Sequence, residues 1–364
     1  MALVPKHIRN LDPYKAGQPI EDLRRELGLD YIIKLASNEN PNGVSPKAIN
    51  ALKLSLQDNF RYPDPSAYIL RQKLAKHFDV KITNVVVGSG SEGVMSNIMR
   101  TFLRQGDEII GADNSFIGFR VLANASGNHT IWVPLQDYYH DLPLIASKIN
   151  EYTKIIYLAN PDNPTGTYFS TEEFDSFMEL VPERVLVLLD EAYFEYASHL
   201  SDYPDSMNYR YDNVITLRTF SKAHGLAGLR VGFGFAHEDL IENLNKVKLP
   251  FEPSWPAQIS AIAAIDDHDF ISNTVSKCHD EMAKMENIFN EFGYNYIKSA
   301  ANFLTIIFDS NEDAKYFSKT MLSNGVILRH LQNWGLPYCV RVTIGSPSEN
   351  KYFINCLLKL RIKI

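Results

Sequence analysis

Cysteine is scarce in this chain. Its 364 residues include only three, Cys278, Cys339 and Cys356, which are odd in number and widely spaced. They form no CxxC motif, and no histidine cluster lies near them in the sequence. A disulfide framework or a structural zinc site requires closely patterned cysteines, so neither is expected. The pattern predicts a reducing, cytoplasmic setting and no bound metal.

The chain also lacks a surplus of positive charge and a long apolar run. It has 36 lysine and arginine residues against 43 aspartate and glutamate residues, a formal net charge of −7. Nucleic acids and anionic membranes bind basic surfaces, so the acidic balance argues against both as partners. No uncharged apolar stretch reaches the roughly 20 residues that span a bilayer, and the N-terminus turns polar at Lys6, too early for a signal peptide. This composition favours work on small molecules.

The chain does contain short apolar runs, rich in β-branched residues and separated by helical patterns. Strands buried on both faces are predicted at residues 85–87, 108–110, 130–133, 155–158, 185–189, 214–217 and 231–235. This alternation predicts an α/β fold with a mostly parallel seven-stranded sheet between helices. Ligand groups are expected at the strand ends.

The pattern changes after the proline-bearing segment 248–253. A long helix is predicted at residues 271–289. Further elements are predicted as a strand at 303–308, a helix at 313–322, strands at 326–329 and 339–344 and a helix from 348. We therefore predict an N-terminal arm with a short helix at residues 1–30, a large domain at residues 31–250 and a small α+β domain at residues 251–364.

The most informative stretch runs from Thr219 to Gly232 and contains Ser221, Lys222 and Arg230. It places an amine that can form a Schiff base and a cation that can hold a phosphate within one glycine-marked loop. A lone Ser-Lys pair is more often a solvated surface group, so other motifs must decide.

Three other motifs each follow a predicted strand. Residues 88–93 form a glycine-rich turn before a helix, whose N–H groups and dipole suit an anion, although such turns are also common for geometric reasons. Residues 160–166 carry two prolines that restrain the loop and leave Asn163 projecting. Asp190 ends a buried strand, with Tyr193 three residues on. It could hold a heterocyclic nitrogen protonated, or it could cap the next helix.

In this order and spacing the motifs resemble those of the fold type I pyridoxal-phosphate aminotransferases, and among them the histidinol-phosphate aminotransferases. The resemblance covers nearly the whole chain. It is also carried by residues 11–14 (LDPY), 32–41 (IIKLASNENP), 61–64 (RYPD) and 341–345 (RVTIG). It implies the two-domain fold of that family, a pyridoxal 5′-phosphate cofactor and a homodimer.

The resemblance also implies roles around the cofactor ring. Lys222 would form the Schiff base and later move the substrate proton, and Asp190 would pair with the pyridinium nitrogen. Tyr193 and Asn163 would contact the ring hydroxyl oxygen, and Phe116 would stack on the ring. Burial and a neighbouring cation such as Arg230 are expected to lower the pKa of Lys222 toward the working range.

Further roles are implied at the two anionic ends. The phosphate of the cofactor would be held by Arg230, Ser221, the backbone of Ser91 and Glu92, Thr219 and Tyr62 of the partner subunit. The substrate would be bound by Arg341, Arg329, Tyr14, Asn40 and Asn163. Two positions depart from the family pattern, because Ser91 replaces a more usual aspartate and His224 a bulky apolar residue. His224 is either a structural histidine or a local influence on the Schiff base.

The expected reaction moves an amino group between L-histidinol phosphate and 2-oxoglutarate, which gives imidazole-acetol phosphate and L-glutamate in histidine biosynthesis. An aromatic aminotransferase for phenylalanine or tyrosine remains an alternative, because the arginines would serve carboxylates as readily as phosphate. A decarboxylase of an amino-acid phosphate is a minor possibility within the same family. A non-enzymatic cofactor-binding regulator is another, but such proteins usually carry an added basic DNA-binding domain, and here the predicted fold begins almost at once.

Overall fold

The computed structural model describes residues 3–11, 24–25, 28–29, 31–209 and 211–361. Of the short arm helix, predicted at residues 20–27, only residues 24–25 fall within these ranges, and they are helical. Tyr14 lies outside the described residues.

The strands are short and the helices of very unequal length. The strands are β1 Ile33–Lys34, β2 Val85–Gly88, β3 Glu108–Ala112, β4 His129–Val133, β5 Thr153–Ala159, β6 Leu186–Asp190, β7 Val214–Thr219, β8 Gly232–Phe235, β9 Asn295–Ile297, β10 Phe303–Ile307, β11 Val326–Ile327, β12 Arg329–His330 and β13 Cys339–Thr343. The helices are α1 Lys6–Arg9, α2 Pro46–Ser55, α3 Tyr68–His77, α4 Gly90–Phe102, α5 Ile117–Ser126, α6 Leu142–Ser147, α7 Thr171–Met178, α8 Phe194–Ala197, α9 Ser206–Tyr209, α10 Glu238–Val247, α11 Trp255–Ile265, α12 His268–Phe292, α13 Asn311–Ser323 and α14 Pro347–Arg361.

The central sheet has seven strands in the order β2-β8-β7-β6-β5-β3-β4. Neighbouring strands are parallel except at β8, which is antiparallel to both β2 and β7. All seven predicted strands and the α/β fold class are confirmed. The prediction of burial on both faces is wrong for β4, where only Val133 is buried, because β4 forms the edge of the sheet.

Helices cover both faces of this sheet because successive strand residues point to opposite sides. On β5, Ile155 and Tyr157 pack with residues of α4, α5 and α10 in one apolar cluster. Ile156 and Leu158 pack on the other face, with residues of α6 and α7. Continuous apolar runs therefore form these strands, and the polar residues that follow them are left at the strand ends.

A second layer is built on an antiparallel four-stranded sheet in the order β12-β13-β10-β9, which shares an apolar cluster with α12, α13 and α14. Two elements pack against the domain other than the one predicted to contain them. The domain limits themselves remain a prediction. β1 pairs in parallel with β11, so Ile33 joins the C-terminal layer. The apolar face of α11 instead shares a cluster with α2, α3 and β8.

An ion pair is buried beside the strand ends. Arg218 of β7 is 1% exposed, and its Nε donates to Glu191 Oε2 over 2.8 Å. Its Nη2 donates to Asp205 Oδ1, also over 2.8 Å, and its guanidinium lies 3.3 Å from the ring centroid of Phe194. A buried charge is tolerated only when it is paired and hydrogen-bonded, so Arg218 fixes Glu191 in place.

The close approach of β8 to the start of α4 gives a first testable prediction. A Cβ atom on Gly232 would lie 2.4 Å from the backbone nitrogen of Ser91 and 2.5 Å from the carbonyl carbon of Gly90. Gly232→Ala must therefore displace the α4 N-terminus, and we expect it to destabilise the fold by roughly 1–3 kcal/mol. Thermal unfolding measures this, with a lower midpoint expected than for the natural protein.

Gly228→Ala is the matched control, because a Cβ atom there meets nothing within 4 Å. Its effect should stay within about 0.5 kcal/mol. Equal unfolding midpoints for the two alanine variants would contradict the tight contact between β8 and α4.

Candidate active site

A cleft of about 370 Å³ opens at the carboxyl ends of β5, β6 and β7. This edge is where an open α/β sheet gathers its ligand groups. The cleft is lined by Ser91, Glu92, Phe116, Gly118, Ala159, Pro161, Asn163, Asp190, Ala192, Tyr193, Thr219, Ser221, Lys222 and Arg230. Every cofactor-binding residue predicted from the sequence is among them except Tyr62.

Asp190 lines the cleft, and only one of its two carboxyl oxygens has a side-chain hydrogen-bond partner. Its Oδ2 accepts a hydrogen bond of 2.9 Å from Tyr157 Oη, whereas its Oδ1 is buried without a hydrogen-bond partner. Burial raises the pKa of Asp190 to about 7, although the hydrogen bonds from Tyr157 and the Ala192 backbone oppose the shift. A protonated ring nitrogen placed against Oδ1 would supply the missing partner, so this carboxyl group fits the implied cofactor.

Tyr157 was not predicted as a site residue. It sits inside the apolar run of β5 and its ring stacks on Phe119, with the ring centroids 3.9 Å apart. In a sequence this tyrosine is indistinguishable from a core residue. Its function as a donor to Asp190 becomes visible only when β5 and β6 are paired.

Lys222 is partly buried, and its Nζ donates to the backbone carbonyl of Ser37 over 3.4 Å. Burial, followed by the nearby cations Arg341 and Arg230, lowers the pKa of Lys222 to about 8. The predicted direction of the shift is confirmed. The sequence indicated Arg230 as the neighbouring cation, but Arg341 has the larger effect.

An anion cradle lies at the N-terminus of α4. Arg230 adopts a left-handed backbone conformation with φ of 54°, and its Nη1 donates to Ser221 Oγ over 3.3 Å. Its Nη2 donates to Glu92 Oε2, also over 3.3 Å. The first backbone N–H groups of α4, including those of Ser91 and Glu92, have no intrahelical acceptor and can bind a phosphate.

Gly90 makes the cradle possible. A Cβ atom on Gly90 would lie 2.7 Å from Arg230 Nη2, and the residue has a φ of 78°. Thr219 supports the same loop, because its Oγ1 accepts a hydrogen bond of 3.1 Å from the Ser221 backbone. The guanidinium and the helix terminus can therefore converge on one anion.

Tyr193 is buried, and its Oη accepts a hydrogen bond of 2.8 Å from Asn38 Nδ2. Burial raises the pKa of Tyr193 to about 12, while Arg341 and Asn38 oppose the shift. The hydroxyl is therefore protonated at neutral pH and can donate to an acceptor in the cleft. Asn38 lies in a motif quoted for the family resemblance, but no role was predicted for it.

Arg341 connects the second layer to the cleft. It is 4% exposed, and its guanidinium donates to Asn163 Oδ1 and, through Nη2, to the Ala36 carbonyl over 2.9 Å. Arg329 lies opposite Arg341 in the β12–β13 register. Both guanidinium groups lie near the Trp334 ring, 5.2 Å and 5.8 Å from its centroid, so two cations converge beside the cleft.

Other predicted residues lie away from the cleft lining. Tyr62 is 81% exposed and stacks on Phe251 with ring centroids 4.4 Å apart. Asn40 Nδ2 donates to the carbonyl of Ala223 over 2.8 Å, which supports the loop that carries Lys222. The substrate-binding role of Asn40 and the partner-site role of Tyr62 remain predictions.

His224 packs against Phe220, and its Nε2 lies 3.2 Å from Glu195 Oε1. The side chain is buried, and its Nδ1 has no hydrogen-bond partner. These contacts favour a structural histidine, and an influence on Lys222 stays untested.

The family described as "Aminotransferase class I and II" matches residues 30–357. The chain belongs to this family, and it has the fold of an aminotransferase.

Within that family, several histidinol-phosphate aminotransferases are similar to this chain. Histidinol-phosphate aminotransferase 1 of Idiomarina loihiensis is 39% identical over 363 residues, which cover 99% of this chain and 98% of that protein. Histidinol-phosphate aminotransferase 2 of Carboxydothermus hydrogenoformans is 40% identical over 355 residues, 97% of this chain and 98% of that protein. These similarities extend over both layers of the fold.

A solved structure gives the same result. The histidinol-phosphate aminotransferase from Sinorhizobium meliloti, in complex with pyridoxal-5′-phosphate, superposes with a TM-score of 0.91 at 26% identity and covers 100% of this chain and 98% of its own. Aspartate aminotransferase from Thermotoga maritima has a TM-score of 0.86 at 19% identity, covers 99% of this chain and 100% of its own, and supports the fold alone.

Arg341 lowers the pKa of Lys222 more than Arg230 does, which gives a second prediction. Removing a neighbouring cation stabilises the protonated amine, so Arg341→Gln should raise the pKa of Lys222 by roughly one unit. Arg230→Gln should raise it less. Reductive methylation consumes only the neutral amine, so its rate at Lys222 against pH, followed by mass spectrometry, reports the midpoint.

In the cofactor-free natural protein this midpoint should lie near pH 8. A larger shift for Arg230→Gln than for Arg341→Gln, or a downward shift for either, would contradict the assigned order.

Proposed function

We propose that this aminotransferase uses pyridoxal 5′-phosphate to move an amino group between L-histidinol phosphate and 2-oxoglutarate, giving imidazole-acetol phosphate and L-glutamate. The observation that carries the proposal is the cleft itself. It joins an amine of lowered pKa, a buried carboxyl oxygen without a partner and an anion cradle. The full-length relatives at about 40% identity support the choice of substrate. The cytoplasmic location predicted from the cysteine pattern belongs to the same proposal.

The residues of the cleft divide the work of holding the cofactor. Arg230, Ser221 and the first N–H groups of α4 would bind its phosphate, and Asp190 Oδ1 would bind its ring nitrogen. Bound in this way, the cofactor supplies an electron sink for the bond that breaks at the substrate carbon. Charge-assisted contacts to phosphate contribute roughly 1.5–3 kcal/mol each, so the anchor would persist while Lys222 is not bonded to the cofactor.

Lys222 would act as nucleophile and proton carrier. An amine must be neutral to attack a carbonyl carbon or to accept a proton, and the pKa of about 8 leaves part of the population neutral near physiological pH. Its Nζ lies 5.5 Å from the ring centroid of Tyr193, which also lines the cleft. Tyr193 and Asn163 would contact the oxygen on the cofactor ring and hold its orientation.

Arg341 and Arg329 would bind the anionic end of the substrate. A guanidinium binds a phosphate through two parallel hydrogen bonds, which fixes orientation as well as charge. Because both arginines lie on adjacent strands of the second layer, they can present donors to one anion. Carboxylates can bind in the same way, so the arginines alone do not separate histidinol phosphate from an aromatic amino acid.

A half-reaction comparison tests the substrate. Histidinol phosphate should convert the absorbance of the cofactor-loaded protein at least about 10-fold faster than phenylalanine in single-turnover mixing, a difference of about 1.4 kcal/mol. Lys222→Ala is the control and should show neither the absorbance of the Lys222-linked cofactor nor turnover. A clear preference for phenylalanine would favour the aromatic aminotransferase, and full activity of Lys222→Ala would contradict the mechanism.

A homodimer is part of the proposal. Apolar side chains of α2, α3 and the segment between them are strongly exposed, among them Leu54, Phe60, Tyr62 and Ile69. Clustered exposed apolar residues are typical of interaction surfaces. A second copy covering this surface could bring Tyr62 into the neighbouring cleft, where its hydroxyl would reach the cofactor phosphate.

Mixed dimers test that contact. The Lys222→Ala protein is expected to be inactive, and the Tyr62→Ala protein is expected to bind the cofactor phosphate poorly. If Tyr62 acts across the interface, unfolding and refolding them together creates dimers in which one cleft has both natural residues. Transamination by the mixture should then exceed that of either parent protein. Activity in mixtures shown to contain mixed dimers that does not exceed that of the parents would place Tyr62 in the cleft of its own subunit, and full activity of the Tyr62→Ala parent would place it outside the site.

A further inference from the structure

Three consecutive residues contact three side chains in or beside the cleft. The carbonyl of Ala36 accepts from Arg341 Nη2 over 2.9 Å, and the carbonyl of Ser37 accepts from Lys222 Nζ over 3.4 Å. The carboxamide of Asn38 donates to Tyr193 Oη over 2.8 Å. The first two contacts use backbone atoms, so only the third depends on the identity of the side chain.

Asn38 is held rigidly. It is 1% exposed and has a φ of 57°, a left-handed conformation that asparagine tolerates better than most residues. Its backbone N–H donates to Thr343 Oγ1 over 3.0 Å, and its carbonyl accepts from Asn302 Nδ2 over 3.2 Å. Its Oδ1 lies 2.9 Å from the same Thr343 hydroxyl. Thr343 of β13 therefore holds the Asn38 side chain independently of its contact with Tyr193.

The direction of these hydrogen bonds follows from one obligatory donor. The backbone N–H of Asn38 can only donate, so Thr343 Oγ1 accepts it. The hydroxyl proton of Thr343 is then available to Asn38 Oδ1, which leaves Nδ2 facing Tyr193. In the opposite orientation of the carboxamide, the Thr343 proton would lose this acceptor.

We propose that Asn38 is a positioning residue that donates to Tyr193 Oη and thereby turns the hydroxyl proton of Tyr193 toward the cofactor ring oxygen. The inference rests on the contact between Tyr193 and the cofactor proposed above. A hydroxyl has one proton, and an incoming donor occupies its lone pair without using that proton. Tyr193 is then prepared to donate, which stabilises negative charge on the ring oxygen.

This positioning has a measurable consequence at Lys222. Negative charge on the ring oxygen favours a proton on the nitrogen that joins Lys222 to the cofactor. When Tyr193 donates to that oxygen it withdraws part of this charge, so the nitrogen should lose its proton at lower pH. Loss of the donation should move the midpoint of the pH titration upward.

Asn38→Asp tests the direction of the hydrogen bond. The variant keeps the shape of the side chain but presents an acceptor to Tyr193, so the tyrosine proton should turn away from the cofactor. We expect the absorbance titration of the cofactor-loaded protein to shift upward by about one pH unit. In the Tyr193→Phe background the same substitution should shift it much less, because no hydroxyl remains to be turned.

Thr343→Val provides a second test without a new charge. It removes the hydroxyl that orients the carboxamide, so it should shift the midpoint in the same direction and by less. Asn302→Ala is the matched control, because Asn302 touches the backbone of Asn38 and not its carboxamide. It should leave the midpoint unchanged even if it lowers the thermal unfolding temperature.

The outcomes separate the two proposals. Unchanged midpoints in both Asn38→Asp and Thr343→Val, or equal shifts with and without the Tyr193 hydroxyl, would overturn the positioning role. If Asn38→Asp does not fold, Thr343→Val decides alone. Failure of the natural protein to bind pyridoxal phosphate through Lys222 would instead overturn the proposed function.

Discussion

Burial of a lysine among other cations is the constraint on which this cleft depends. Water would hold Lys222 protonated, whereas the cleft removes water and places Arg341 and Arg230 nearby, which brings the pKa of the lysine to about 8. The same arginines are the groups suited to bind the two anions, the cofactor phosphate and the substrate. Anion binding and activation of the amine are therefore not independent, because an anion that neutralises an arginine also weakens its repulsion of Lys222.

Two adjacent acids at the end of β6 show how the protein separates structural from functional charge. Glu191 is paired with Arg218 inside the fold, and its charge is compensated there. Asp190 has one oxygen bound by Tyr157 and one without a partner. A buried carboxylate without compensation is costly, so the fold accepts at Asp190 a cost that a cationic ligand can remove. Burial also raises the pKa of Glu191, but Arg218 and Ser206 oppose that shift, so Glu191 is held in place before any ligand binds.

The sequence was sufficient for the central sheet but not for the smallest strands. Buried strands such as β5 and β6 are continuous apolar runs, which periodicity detects. β1 is two residues long, too short for any pattern, and it forms because it pairs with β11. The strand predicted at 326–329 is divided in the structure into β11 and β12, which lie in different sheets. The antiparallel direction of β8 also has no signal in its residues, because apolar runs do not encode orientation.

The predicted site residues came from local motifs, and the missed ones act over long sequence distances. Lys222, Asp190 and Arg230 each lie in a recognisable loop or strand end. Tyr157 contacts Asp190 from a neighbouring strand, 33 positions away. Asn38 contacts Tyr193 across 155 positions and Thr343 across 305. On β13, Arg341 and Thr343 are two residues apart and so lie on one face of the strand. That single face carries Arg341 and the hydroxyl that contacts Asn38, so the placement of β13 would determine the proposed anion site and the proposed orientation of the tyrosine proton together.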